Sequence, residues 1–500
     1  MCIKNYALFF TACLVLLISS QAFMISAKHQ VPVINSHLLI DNNQVIQNDF
    51  LGVNAVYHGF TYMPDNIMAP LSATEKNREF ARVRAMELKI ARTWYRPNWA
   101  CATNLFSDFD WNSMRMQAFY QWLDKMKKLN VKVALQAGWF FPQDTYFGHI
   151  TPDSTKNVER YAEWVSESLN QMINVRGYSN IKYLMLFTKP LNSHSQKGPE
   201  GGFSEPNFYA KVCTEINEKL IKTNLRSAVK LVGPNSGSTD TAAYVGWSVN
   251  KLNNVIDIFS WHTYNGQKYN TNPPSEYDGW KQIVDAGKRK VIKTNKPYWI
   301  DEYGANQPNE NVRRTADYGN YIAQAVAAFT NSGAQTSLLW ILFDQKYEGH
   351  TTNHDSFYKG IQRWGLTQSP QDSLSGPPKV YPAWYSFAIM SKYLGNYAPT
   401  KVYKTTSADS LYVVSTSAGS DLTVMVVNAA HSAKRFDVKF ARPVYRPVYR
   451  TFNRHVYDPE KIRQYIGIDI IPSDKKFAAI ATVFSDQIPA RGVSIYTTKK

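Results

Sequence analysis

Between residues 50 and 395, short apolar runs alternate with amphipathic segments eight times. The runs are residues 51–57, 88–95, 131–136, 181–187, 229–233, 256–262, 297–302 and 336–343. Each is too short for a typical helix and apolar enough to be a strand buried on both faces. The intervening stretches 111–129, 158–173, 208–221 and 313–331 carry helical periodicity. In the first of these, Leu123, Met126 and Leu129 recur at helical spacing beside Asp124, Lys127 and Lys128. Strand and helix alternating through eight units predict a parallel (β/α)8 TIM barrel over residues 50–395. Its last helix is expected at Pro382–Leu394, with Trp384, Phe387 and Tyr393 facing inward.

After Gly395 the texture changes. Short strand-like runs at 402–403, 411–414, 422–427, 436–440, 478–484 and 493–496 are separated by turn residues. They predict a C-terminal β-sandwich over residues 396–500. The segment 23–49 precedes the first barrel strand, and its part 31–47 alternates like a strand that could join the sandwich. One internal repeat stands out, Arg442-Pro443-Val444-Tyr445-Arg446-Pro447-Val448-Tyr449-Arg450, continuing to Arg454. Its four-residue step keeps the arginines on one face of a strand, while its prolines exclude a central strand. A charged solvated edge and an anion-binding strip both fit it.

Residues 1–22 read as a cleaved secretory signal peptide: Lys4, an apolar stretch from Tyr6 to Ser19, then Ser20-Gln21-Ala22. No later stretch is apolar enough to span a membrane. Secretion or residence in a periplasm is therefore expected. Cys2 and Cys13 leave with the leader, and Cys101 with Cys213 permits one disulfide at most.

Charge narrows the partners. The chain carries +17, and loss of the leader takes away one lysine, leaving about +16. That balance suits acidic partners such as uronate or sulfated glycans. Nucleic acid is excluded by the export signal and by the lack of any recognised binding module. The 13 Trp, 31 Tyr and 25 Phe provide either a large aromatic core or platforms for stacking on sugar rings. No metal-ligand spacing, phosphate loop or nucleotide motif occurs, so no cofactor is expected.

Barrel enzymes hold their chemistry at the C-terminal ends of the strands. Those ends carry Asn54 and Tyr57, Arg92 and Trp94, Gln136 and Trp139, Lys189 and Asn192, Asn235, His262 and Tyr264, Glu302, and Trp340 with Asp344. Along the whole barrel this series resembles the clan A glycoside hydrolases, the retaining enzymes whose catalytic carboxylates close strands four and seven. The most specific match is Trp299-Ile300-Asp301-Glu302-Tyr303-Gly304. The resemblance implies that Glu302 is the nucleophile, that Tyr264 hydrogen-bonds it, and that Arg92 supports it. It also implies that His262 lines the glycone subsite and Trp340 forms its floor, with Trp139, Asn192 and Tyr57 contributing to substrate binding. Strand alternation turns Asp301 away from Glu302, which makes it structural.

Strand four departs from the pattern. Where the clan has Asn-Glu-Pro, this chain has Thr188-Lys189-Pro190. A lysine ammonium, with an ordinary pKa of about 10.4, donates a proton poorly near neutrality and cannot then act as base. Lys189 and Glu302 are expected to face each other as an ion pair. Three readings follow: a glycan binder with hydrolysis lost or impaired, an active hydrolase or transglycosidase with a relocated acid (Glu200, Glu205, Asp344 or Glu348) or activated donors, and a non-catalytic structural surface protein.

Overall fold

The computed structural model describes residues 36–63, 71–101, 108–138, 155–186, 206–237, 241–264, 276–305, 310–347, 360–368, 379–442, 451–478 and 483–499. The expected leader, residues 443–450 of the arginine–proline repeat, Glu200, Glu205 and Glu348 lie outside them.

Eight parallel strands close into a barrel: β2 (Val53–Val56), β3 (Ile90–Tyr95), β4 (Lys132–Ala137), β5 (Ile181–Leu186), β6 (Lys230–Ser236), β7 (Ile258–Tyr264), β8 (Tyr298–Gly304) and β9 (Thr336–Leu339). Around it run α1 (Ala73–Ala85), α2 (Met114–Lys128), α3 (Thr155–Leu169), α4 (Pro206–Lys222), α5 (Thr241–Leu252), α6 (Glu276–Val291), α7 (Ala316–Asn331) and α8 (Pro382–Leu394). The predicted TIM barrel is therefore the fold.

The inward residues of these strands change character along the barrel axis. Deep in the barrel, Ile90, Ala134, Tyr183, Met185, Val232, Ile258, Trp299 and Leu338 fill the interior. Two residues further along each strand, the side chains that share the same face are Arg92 after Ile90, Gln136 after Ala134, and Trp340 after Leu338. The apolar plug excludes water from below and leaves a polar layer at the C-terminal mouth.

The second layer is a nine-stranded sheet in the order β17-β16-β19-β14-β13-β12-β1-β15-β18. Its members are β1 (Ser36–Gln47), β12 (Lys401–Thr406), β13 (Leu411–Ala418), β14 (Asp421–Asn428), β15 (Lys434–Phe440), β16 (Thr451–Tyr457), β17 (Lys475–Ala478), β18 (Val483–Ile488) and β19 (Val493–Thr497). A short hairpin, β10 (Gln345–Tyr347) with β11 (Gly360–Gln362), leaves the barrel mouth. The large sheet rolls on itself: Phe477 and Phe484, from opposite edge strands, meet with ring centroids 6.2 Å apart. Leu38, Val413, Val424, Phe436 and Tyr496 are buried inside the roll, which matches the expected C-terminal sandwich. The alternating N-terminal segment pairs with both β12 and β15.

The outer face of this sheet packs on α7 and α8. Tyr277 stacks on Tyr412 at 3.9 Å, and Asn331 donates to the Val413 carbonyl at 3.0 Å. At Gly319 a Cβ would collide with the Tyr457 ring, so only glycine permits that approach. With the barrel on one side and the sheet on the other, α8 is buried nearly all round, well beyond the Trp384, Phe387 and Tyr393 face expected for it. Cys101 and Cys213 are both free and buried, so the one disulfide the sequence permitted is not formed.

Candidate active site

The polar layer converges on Glu302. Arg92 projects from β3, buried completely, and its Nη1 donates to Glu302 Oε2 at 3.1 Å and to the Asp301 carbonyl at 2.7 Å. Gln136 on β4 holds the other edge of the guanidinium, accepting from Nε at 2.9 Å and also from Nη2. A buried guanidinium bonded on two edges has one orientation. Tyr264 on β7 donates to the second oxygen, Glu302 Oε1. Burial, and next the Glu302 charge, push the Tyr264 hydroxyl well above the ordinary tyrosine range, so it stays a donor. His262 Nε2 stands 3.4 Å from Glu302 Oε2 and hydrogen-bonds the Asn235 carboxamide oxygen. An amide oxygen only accepts, so Nε2 carries the proton. Two donors, Arg92 and Tyr264, thus fix a carboxyl that is only 4% exposed, with the His262 ring beside it.

Two backbone features build this arrangement. Asn235 adopts a left-handed conformation (φ 56°), turning its side chain onto His262 at the end of β6. In β8 the pairing slips: Ile300 faces Trp261, but Glu302 faces His262, which leaves Asp301 as an extra residue. Such a bulge breaks strict alternation. Asp301, expected to point away from Glu302, is instead brought to within 3.8 Å of His262 Nε2.

Beside the carboxyl lies a wall of rings. His58 packs on Trp94 (4.2 Å between centroids), Trp94 on Trp340 (5.2 Å), and Trp340 on Trp364 (5.9 Å). Burial, with help from Arg92 and Arg96, holds His58 well below the ordinary histidine range, so the wall is uncharged near neutral pH. Arg313, buried as well, donates to the carbonyls of Ala305 and Trp364 and so ties the chain after Glu302 to the Trp364 loop.

Of the residues singled out from the sequence, Glu302, Arg92, His262, Tyr264 and Trp340 are gathered here. Tyr57 is not. Its hydroxyl donates to Glu79 at 2.9 Å and its ring packs between Trp122 and Phe343, in the layer between barrel and helices. The neighbouring His58 takes the mouth instead, a shift of one residue at the end of a short strand. Trp364 was missed because its loop has no periodicity to reveal it. Lys189, Asn192 and Trp139 lie outside the described residues; β5 runs to Leu186, just short of them. Asp344 is committed elsewhere, accepting from the Gly365 amide and the Tyr381 hydroxyl at 2.7 Å each.

The barrel with its rolled sheet is the fold of solved glycoside hydrolases. Particular structures make the likeness concrete. The catalytic domain of a GH30 xylanase C from Talaromyces cellulolyticus is 12% identical, with a TM-score of 0.63 over 92% of this chain and 99% of that one. An α-L-arabinofuranosidase from Thermotoga maritima is also 12% identical, with a TM-score of 0.60 over 92% and 99%. A conserved exported protein from Bacteroides fragilis gives a TM-score of 0.64 at 12% identity, over 92% and 100%. No protein-family model matches the chain, and no curated protein matches it in sequence. Among the described residues no helix is long and apolar enough to cross a membrane, and no group of side chains could hold a metal ion.

Proposed function

We propose that this is an exported glycan-binding protein on a retaining β-glycosidase scaffold, with the nucleophile kept and hydrolysis lost or impaired. The observation that carries the reading is the convergence of Arg92, Tyr264 and His262 on Glu302 at the barrel mouth. An aligned carboxylate beside an aromatic wall suits a sugar ring whose anomeric carbon faces Glu302. The leader-like residues 1–22 support export, as does the likeness to an exported protein. The basic balance of the chain allows the glycan to be acidic.

Retaining hydrolysis needs two carboxyls about 5–5.5 Å apart, one to attack and one to protonate the leaving oxygen. The sequence has Lys189 where clan members carry the second carboxyl. The ammonium is a weak acid at neutral pH, and in pairing with Glu302 it would restrain the attack. Loss of general acid catalysis alone costs on the order of 10²–10⁴-fold. Thr188 also lacks the amide with which clan members contact the sugar 2-hydroxyl.

The second reading, a working hydrolase with a relocated acid, is weakened at Asp344, whose two oxygens are already engaged. Glycosides with activated aryl leaving groups separate the readings, since departure of such groups needs no acid. A glycan-binding array, followed by turnover of dinitrophenyl glycosides and of any natural glycan captured, is the test. Binding with cleavage of aryl glycosides alone supports the proposal. Fast cleavage of the natural glycan overturns it.

A further inference from the structure

The bulge in β8 puts two successive carboxyls, Asp301 and Glu302, on the barrel side of the strand. Asp301 is fully buried, and among the described residues neither of its oxygens has a well-formed hydrogen bond. The groups that face it come from three other elements and its own strand. They are Arg92 from β3, His262 and Ser260 from β7, Tyr209 from α4, and Glu302 beside it. Among the described residues, a side-chain donor near both carboxyls is His262 Nε2–H, 3.4 Å from Glu302 and 3.8 Å from Asp301, already engaged with Asn235. One N–H cannot serve two anions. Arg92 offers no relief, because its Nη1 is spent on Glu302 and on the Asp301 backbone carbonyl.

We propose that Asp301 is a positioning residue: as a neutral acid it leaves the Arg92–Glu302 pair and the His262–Asn235 bond beside it undisturbed, and on losing its proton it draws on both Arg92 and His262. The environment favours the neutral form. Burial pushes the Asp301 carboxyl up to about 7, with the Glu302 charge adding to it, while Arg92 and the Ser260 hydroxyl act in the opposite sense. Above that pH a second negative charge sits beside Glu302, draws on Arg92 and His262, and loosens the geometry of the site. The charge balance is simple: the proton leaves Asp301 for solvent, and the buried cluster becomes one unit more negative. The consequence for glycan chemistry rests on Glu302 being the nucleophile, but the proton switch itself does not.

The test therefore reads protons and needs neither sugar nor turnover. Infrared pH-difference spectra of the full chain detect the carbonyl stretch of a buried protonated carboxyl. Glu79, also pushed up to about 7 by its burial, carries a similar band, so Glu79→Gln is the background. In that background one acid band should vanish with a midpoint near pH 7, and it should be missing when Asp301→Asn is added. Nuclear magnetic resonance of the His262 ring, assigned with His262→Gln, should show a step at the same midpoint, lost in Asp301→Asn. A purely structural aspartate would leave the His262 response unchanged.

Absence of the acid band, or a His262 pH response identical with and without Asp301→Asn, overturns the proposal. If Asp301→Asn fails to fold, coincidence of the two midpoints in the Asp301 chain still decides, and separate midpoints refute it. Failure to bind any glycan would sink the proposed function and leave this result standing.

Discussion

Replacing Asp301 by asparagine should make the protein more stable at alkaline pH and have little effect at acid pH. The sign follows from linkage. The carboxyl is raised in the folded state, from 3.8 to about 7. Its folded form therefore holds a proton that the unfolded chain has lost at any pH between those values. The stability associated with that proton is complete below about 3.8, falls as pH rises, and is gone above about 7. At about 1.36 kcal/mol per pH unit, the whole interval corresponds to about 4 kcal/mol, of which ~3 kcal/mol is lost between about pH 5 and pH 8. Asparagine has the shape of the neutral acid and no proton to lose. Urea denaturation of wild type and variant at those two pH values measures the difference directly, and the common contributions of other titrating groups cancel. The variant should gain on wild type by ~3 kcal/mol between the two conditions. Glu79→Gln, in a different part of the molecule, should show the same sign and serves as a control. A variant whose stability tracks wild type in parallel from acid to alkaline pH would mean that Asp301 is ionised in the folded protein, and the reasoning from burial would fail.

Other outcomes follow from the proposed function. Lys189→Glu should raise cleavage of unactivated glycosides, by up to the 10²–10⁴-fold typical of a restored general acid. Adding Thr188→Asn should raise it further, and Glu302→Ala in that background should abolish the gain; a wild-type enzyme that cleaves natural glycans and dies on Lys189→Ala would reverse the assignment. Trp340→Ala should weaken glycan affinity by about 1–3 kcal/mol, the scale of a lost stacking platform, measured by titration calorimetry. Arg92→Met should destabilise the fold by about 3–5 kcal/mol, because it strands a buried carboxylate, and calorimetric melting checks it.

The sequence made the barrel legible because strands buried on both faces and one-sided helices leave different periodicities. The same logic failed wherever burial stopped being one-sided. Helix α8 lies between two layers, so its apolar positions do not select a face. Arg92 and Gln136 lie where alternation and strand order put them, whereas Glu302 reaches the mouth through the bulge that precedes it. Tyr57 and Asp301 were misread for local reasons. At β2 the strand ends at Val56 and the next residues turn, which gives the mouth to His58. At β8 one extra residue brings Glu302 to the barrel side along with Asp301, which already follows Trp299 on that face. Neither a turn of one residue nor a bulge has a compositional signature in this chain. Cross-strand partners were equally invisible: nothing in the residues around Gln136 announces that it clamps Arg92.

The reading of this chain as a merely structural surface protein meets an energetic objection. A barrel mouth with no ligand to serve would be most stable filled with well-packed apolar side chains. Replacing a buried ion pair with such residues is commonly neutral or stabilising by about 1–4 kcal/mol. Here the mouth instead keeps Arg92 and Asp301 with no exposure at all, Glu302 nearly so, and His262 among them. Asp301 makes the arrangement costlier still, since its burial works against its charge. Local departures from what stability favours concentrate where function constrains a fold. In this barrel they concentrate around one carboxyl, with a left-handed asparagine and a strand bulge both directed at it. The apparatus that orients Glu302 thus has a physical rationale only if something is presented to Glu302. That argues for a ligand at the mouth, which the proposed function takes to be a sugar.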